Sequence, residues 1–322
     1  MDRMNRPIIG YDWFSELHML LRHFPPNRGK NPLPPELHYA THAYQFMHHA
    51  KHGRIRLMPF SGFELTQPNE DTIHVDGLTS ELHAIFFGRQ LRVATGAAKY
   101  GGSSSRGCKI DQQLKALVND NVVPNDPLVK EYVDRFLNFL YVNRLKPFWT
   151  QVPVYNAKML LATTIDLFVI DLTIDHTQHS NILNLQLKSG FDENYNRSDG
   201  CLKSPVCNSE IIRAIPDTHS NRHMIQNMVE HLIVQKEYGA PLHNSEIVVL
   251  SENLISRHPL LHDIELEQHI VREIKLRKTT TKCEMHIQQV RADYARKAVI
   301  NKIISKKKDT INKCAKVLQK KH

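Results

Sequence analysis

Two short runs of apolar residues carry an acid, an amide and a lysine at a spacing suited to phosphate chemistry. The run Thr164–Val169 contains Asp166, and a second run contains Gln186 and Lys188. Both are rich in β-branched and apolar residues, which predicts strands, and the polar segment 175–180 predicts a turn between them. Since side chains two apart on a strand share a face, Gln186 and Lys188 should point the same way. An Asp beside such a pair can hold a divalent cation next to a scissile phosphate, which raises nucleic-acid cleavage as a hypothesis.

The composition is that of an ordinary globular protein. The chain has 322 residues, of which 41% are hydrophobic and 23% charged, enough for a real core and one or two domains. No stretch approaches the roughly 20 apolar residues of a membrane span, and the N-terminus lacks the apolar segment of a secretory signal. Five cysteines without a CxxC pair argue against a disulfide framework. We therefore expect a reducing, intracellular compartment, which includes the nucleus, and no membrane.

Positive charge is concentrated at the C-terminal end of the chain. The formal net charge is +9, and residues 271–322 hold sixteen Lys and Arg against four Asp and Glu. A basic tail is a common electrostatic footprint for a phosphate backbone, and binding through it weakens as the salt concentration rises. The alternative is a solvated, lysine-rich helix that aids only solubility.

Hydrophobic periodicity and breakers predict three regions. Residues 1–100 form a mostly helical N-terminal region of unassigned role, 101–255 form the core, and 256–322 form a helical, Lys-rich extension. In the core, helices are expected around 110–118, from Asp126 and around 225–233, and strands at 151–155, 163–172, 182–188 and 246–250. Helices and strands in this order predict an α/β or α+β fold built around one sheet.

The order of these motifs resembles the PD-(D/E)XK nuclease superfamily, in particular its RecB-like and phage-lambda-type exonuclease branch. In that branch a helix with an early metal ligand precedes a strand with an Asp, a strand with acid-x-Lys, and a helix with a Gln. The corresponding residues are Asp111, Asp166, Gln186 with Lys188, and Gln226. The resemblance covers roughly residues 101–251.

The resemblance implies a restriction-endonuclease-like mixed central sheet flanked by helices, and phosphodiester hydrolysis with Mg²⁺ or Mn²⁺. Asp111, Asp166 and Gln186 would then be the metal ligands. Lys188, Asp166, Gln186 and Gln226 would be catalytic, and the substrate would be DNA in replication, recombination or repair. The direction in which a DNA strand would be digested, and a preference for DNA ends over internal sites, come only from the resemblance.

Four positions depart from the pattern of that branch. Gln186 stands where an Asp or Glu is usual, Gln151 where Glu is frequent, Thr163 where Gly is common, and Glu230 where an aromatic residue is expected. The loss of a carboxylate at residue 186 leaves three readings open. The site works with fewer charges, another acid compensates, or the site is degenerate. The candidate compensating acids are Asp171, Asp175 and Glu193.

Three function hypotheses follow: an exonuclease-like DNA nuclease, a nuclease-fold DNA-binding protein without cleavage, and an RNA-directed endonuclease on the same core. Basic residues near the motifs and in the tail are candidate phosphate contacts. They are Arg106, Lys109, Arg222, Lys306, Lys307 and Lys308. The Gly/Ser-rich stretch at 101–105 lacks the G-x-x-x-x-G-K-[ST] pattern of an NTPase, and no G-x-S-x-G motif of a serine hydrolase is present.

Overall fold

The computed structural model describes residues 10–24, 33–58, 62–67, 71–87, 103–191, 195–198, 200–202, 204, 206–239, 241–251 and 254–279. The chain divides into two compact units, Met1–Glu273 and Ile274–His322. The first unit contains the sheet and its flanking helices. In the second unit, residues 274–279 are described, and they are helical. Residues 280–322 of the helical extension predicted for 256–322 lie outside the described residues.

Eight strands form one mixed sheet in the described part of the chain, in the order β1-β2-β3-β5-β6-β7-β8, with β4 paired to β5. Strands β6 and β7 pair in parallel, β3 and β5 also pair in parallel, and the other neighbours are antiparallel. The strands are β1 (Ile55–Leu57), β2 (Phe63–Thr66), β3 (Thr72–Gly77), β4 (Leu145–Asn156), β5 (Leu161–Asp171), β6 (Ile182–Ser189), β7 (Leu242–Leu250) and β8 (Ile255–Pro259).

The described helices are α1 (Asp12–His23), α2 (Thr41–Met47), α3 (Leu78–Leu82), α4 (Ser103–Asp120), α5 (Lys130–Val142), α6 (Glu210–Arg213) and α7 (His219–Tyr238), and residues 264–279 are also helical. Short 3₁₀ turns occupy Pro35–Ala40 and His52–Arg54, and a π turn occupies His83–Phe87. None of the described helices is both long enough and apolar enough to cross a membrane.

Helices cover both faces of the central strands. Successive side chains on a strand point to opposite faces, so neighbouring residues of β6 contact different helices. Leu183 and Leu185 of β6 pack with α4 and α5 in the main hydrophobic core. Asn184 and Gln186, which alternate with them, instead contact Asn227 and Glu230 of α7. The main core is formed by Ile110, Leu114, Leu117, Val133, Phe136, Leu137, Leu140, Leu167, Val169, Leu183, Leu185, Val248 and Leu250, with further apolar neighbours.

The prediction of a mixed α/β fold with one sheet and flanking helices is confirmed. The strands expected at 151–155, 163–172, 182–188 and 246–250 correspond to β4, β5, β6 and β7, and the helix around 225–233 corresponds to α7. The sequence did not predict the strands of the N-terminal region. Besides its helices it contributes β1, β2 and β3 to the same sheet. The boundary set at residue 255 falls at the first residue of β8, and the compact first unit continues to Glu273.

Candidate active site

Asp166 lies where two paired strands separate. The antiparallel pairing of β5 with β6 runs from Ile170 opposite Ile182 to Leu167 opposite Leu185. Beyond that point the backbone N–H of Leu187 donates instead to the Asp166 carboxylate, at 2.9 Å. Strand β6 continues in its parallel ladder with β7 as far as Ser189. A gap in the β5–β6 pairing therefore opens beside β6.

The other edge of β5 is also irregular at Asp166. Gln151 of β4 lies opposite it, between the pairs Thr150–Leu167 and Val152–Ile165. Gln151 has a φ of 51°, a left-handed conformation that is uncommon for a residue other than glycine. Its side-chain amide donates a hydrogen bond to Asp166. Burial raises the pKa of Asp166, while Lys188, the Leu187 N–H and the Gln151 amide oppose that rise.

Asp111 reaches the same gap from helix α4. A Cβ added to Gly107 would lie 3.4 Å from the Ser189 hydroxyl, so this turn of α4 passes close to the end of β6. Residues four apart share a helix face, which directs Asp111 toward the same place. Burial raises the pKa of the Asp111 carboxyl to about 7, the negative charge of Asp166 adds to the rise, and Lys188 opposes it. Asp111, Asp166 and Lys188 thus share one electrostatic environment.

Lys188 is the cation common to this group. Besides both aspartates, its charge acts on two side chains of α7: it opposes the raised pKa of Glu230 and contributes to the lowered pKa of His223. Burial is the leading cause of the shift in both of those groups. Lys188 is half-buried on β6, so its charge acts on both aspartates with less screening than a fully exposed charge would have.

Gln186 is almost completely buried and is bound to a helix residue. Its amide nitrogen donates to the Glu230 carboxylate, and its carbonyl oxygen has no hydrogen-bond partner among the described residues. Glu230 also accepts a hydrogen bond from the Thr163 hydroxyl at 3.1 Å and one from the Gln226 amide at 2.9 Å. Burial raises the pKa of Glu230 to about 7, with Lys188 opposing the rise.

With this geometry established, the chain can be compared with known proteins. No protein-family model matches it, and a search of the curated proteins finds no match. The resemblance to the nuclease superfamily therefore rests on the sequence motifs alone.

The oxygen atoms beside the gap have the chemistry of a site for a hard divalent cation. Such ions prefer carboxylate and amide oxygens. Asp111 and Asp166 supply two carboxylates, and the buried carbonyl oxygen of Gln186 on the same strand as Lys188 has no hydrogen-bond partner among the described residues. Within the described ranges no group of three or more His, Cys, Asp or Glu side chains is arranged to hold a metal ion. The donor set here is different, since one of its members is an amide.

The acids considered as replacements for a carboxylate at residue 186 are engaged elsewhere or lie outside the described residues. Asp171 accepts hydrogen bonds from Thr173, at 2.8 Å from the backbone and 2.5 Å from the hydroxyl. Asp175 accepts a hydrogen bond from the Thr177 backbone in the following turn, at 2.9 Å. Glu193 lies outside the described residues. Glu230 is instead the acid that contacts Gln186.

The candidate phosphate-binding residues are placed in different surroundings. Arg106 is buried, and its guanidinium donates to the Tyr132 hydroxyl at 2.9 Å. Arg222 is buried in a two-point ion pair with Asp217, at 2.6 and 2.9 Å. Lys109 pairs with Asp126 at 3.2 Å. These three side chains are tied into intramolecular contacts, and Lys306, Lys307 and Lys308 lie outside the described residues.

Sequence reasoning missed two residues that contact the predicted group. Gln151 was noted only as a departure from a pattern, and nothing in the sequence marks its left-handed backbone. Glu230 was also noted as a departure, at a position where an aromatic residue was expected. A signal existed in this case, because Gln186 and Glu230 are both unusual for the pattern and they contact each other. Two unusual residues in one pattern are candidates for a direct contact.

Proposed function

We propose that this chain is a Mg²⁺-dependent nuclease that hydrolyses phosphodiester bonds in DNA. The observation that carries the proposal is the mutual electrostatic influence of Asp111, Asp166 and Lys188, from α4, β5 and β6, near the point where β5 and β6 stop pairing. Two acids with a fixed cation beside them are suited to binding a divalent ion together with a phosphate. The order of these residues along the chain, and its resemblance to the PD-(D/E)XK pattern, supports the same reaction.

The residues have separate roles in this proposal. Asp111, Asp166 and the Gln186 carbonyl oxygen would hold the cation. A bound Mg²⁺ supplies positive charge against phosphate oxygens and makes nearby water more acidic. Lys188 would bind a non-bridging phosphate oxygen and stabilise the charge that develops on the phosphoryl group. The Leu187 N–H and the Gln151 amide would hold the Asp166 carboxylate in one orientation.

The proposal is tested by cleavage of linear duplex DNA with Mg²⁺ or Mn²⁺. We expect Lys188→Ala and Asp166→Asn each to lower the rate by about 100-fold or more, because the first removes a positive charge that would stabilise the transition state and the second removes a ligand of the cation. The matched control is Lys158→Ala, which removes an exposed lysine from the turn between β4 and β5. Equal rates for Lys188→Ala and the wild-type protein would contradict the proposal. Parallel assays on single-stranded RNA separate a DNA nuclease from an RNA-directed one.

A second candidate function is DNA binding on a nuclease fold without cleavage. The specific observation in its favour is that Gln186 occupies the acid position and is neutral, so the cation site has one carboxylate fewer. Absence of cleavage with either cation, together with salt-sensitive DNA binding, would select this function over the first.

A further inference from the structure

The two least expected residues of the site contact each other. Gln186 of β6 holds an acid position without an acid, and Glu230 of α7 is a fully buried acid at a position where an aromatic residue was expected. They are separated by 44 residues in the chain and joined by a hydrogen bond from the amide nitrogen to the carboxylate. A carboxyl group absent from the strand is therefore present on the helix packed against it.

We propose that Glu230 supplies the missing negative charge of the cation site from helix α7, by holding the Gln186 amide with its carbonyl oxygen turned toward the cation. Glu230 is then a positioning residue that acts through Gln186. The inference rests on the proposed function, because it assigns a further residue to the same site.

The orientation of the amide follows from hydrogen-bond chemistry. The nitrogen of Gln186 faces Glu230 and the oxygen faces away, and a carboxylate held ionised beside a bound cation only accepts hydrogen bonds, which keeps that orientation. That oxygen is buried and lacks a partner among the described residues, a costly arrangement that a cation would relieve. Donation to a charged acceptor also polarises the amide and makes its oxygen a better ligand.

The Glu230 carboxyl is surrounded by side chains that donate hydrogen bonds to it. A fully buried carboxylate is unfavourable unless it is paired and hydrogen-bonded. Glu230 accepts hydrogen bonds from three side chains, Thr163, Gln186 and Gln226. Residues that orient metal ligands in this way typically change metal affinity by about 10- to 100-fold when they are replaced.

The experiment exchanges the two side chains. Mn²⁺ affinity is measured by calorimetry on the full-length wild-type protein and on E230Q, Q186E and the double variant Q186E/E230Q. We expect E230Q to bind Mn²⁺ about 10- to 100-fold more weakly, because its amide keeps the size of the side chain and removes the charge. The double variant should recover the wild-type affinity, since it returns one carboxylate to the pair. The control is E237Q, which removes a charge from the same helix.

Thermal unfolding without added cation separates positioning from structure. Q186E alone places two carboxylates in contact, so we expect it to unfold at a lower temperature than the wild type and the double variant to regain stability. Unchanged Mn²⁺ affinity in E230Q overturns the inference, and so does a double variant that binds as weakly as E230Q. If the wild type binds no cation, the proposed function and this inference both fail. Cation-dependent cleavage that is equal in wild type and E230Q overturns only the role of Glu230.

Discussion

At the scale of single residues, Asp166 is defined by distortions of the backbone around it. Regular pairing would surround this position with backbone donors and acceptors. Instead the pairing of β6 with β5 stops at this point, and the backbone N–H of Leu187 in β6 donates to the Asp166 side chain. On the other edge Gln151 adopts a left-handed conformation and also donates to Asp166. The carboxylate is thus held by the irregular parts of two neighbouring strands.

The strain at Gln151 can be measured with a matched pair of substitutions. Gln151→Ala and Gln151→Gly both remove the amide that contacts Asp166, but only alanine retains a Cβ at a φ of 51°. We expect the alanine variant to have a free energy of unfolding lower than that of the glycine variant by about 1 kcal/mol. Urea denaturation of the two proteins measures the difference. An alanine variant as stable as the glycine variant would mean that the backbone is not strained there.

Which site residues were predictable from the sequence depended on how far apart their contacts lie. Asp166, Gln186 and Lys188 stand on two successive strands, so alternation and a short turn were enough to place them together. Glu230 contacts Gln186 from a helix that follows the polar segment after β6. No local pattern reports such a contact. Arginines 106 and 222 look like surface charges in the sequence, and only the structure shows that both are buried.

At the scale of elements, helix α7 determines what the gap beside β6 contains. It crosses between β6 and β7 and carries Gln226, Glu230 and His223 toward Lys188. Its ends are well defined. The Thr218 hydroxyl accepts a hydrogen bond from the Asn221 N–H at 3.0 Å, and Gly239 ends the helix with a φ of 57°. Gly239 with Pro241 two residues later is a sequence that commonly terminates a helix.

The N-terminal cap of α7 gives a prediction for the element. We expect Thr218→Ala to lower the free energy of unfolding by about 1 kcal/mol, because the Asn221 N–H loses its partner. Thr218→Ser keeps the hydroxyl and should remain close to the wild type. Urea denaturation of both variants provides the measurement. Equal losses in the two would assign the effect to the methyl group and not to the cap.

Strands β1, β2 and β3 show where element prediction failed. They are three, four and six residues long, and only one or two residues of each are buried. Such short strands carry little alternation, and they are completed by pairing with one another and with β5. The four core strands were recognised because they are longer and nearly continuous in apolar residues, as strands covered on both faces should be.

At the scale of the whole molecule, buried histidines link stability to pH. His231 is buried, and its Nδ1 lies 2.9 Å from the Ser245 hydroxyl. Burial lowers the pKa of His231 to about 4, with the neighbouring His262 acting in the same direction. Burial likewise lowers the pKa of His52 to about 4. Between pH 4 and 6.5 the unfolded chain therefore binds protons that the folded chain does not, and stability falls as the pH falls.

We expect His231→Gln to flatten that dependence. A shift from 6.5 to about 4 corresponds to on the order of 3 kcal/mol, lost between roughly pH 6.5 and 4. Asp111 and Glu230, whose pKa values are raised, act with the opposite sign, so the comparison has to be made between variants. Urea midpoints at pH 7 and pH 4.5 provide the measurement, with the exposed His243→Gln as control. An identical pH dependence in His231→Gln and wild type would refute the assignment.

The exposed residues Asn196, Arg197 and Ser198 follow β6 and precede α7. A single backbone cut there would leave Asp111, Asp166 and Lys188 on one piece of the chain and Glu230 on the other. It would also place the partners of the β6–β7 ladder on separate pieces. The first fragment would keep these three side chains but lose β7 and Glu230, so full activity should return only when the two fragments associate again through the β6–β7 ladder.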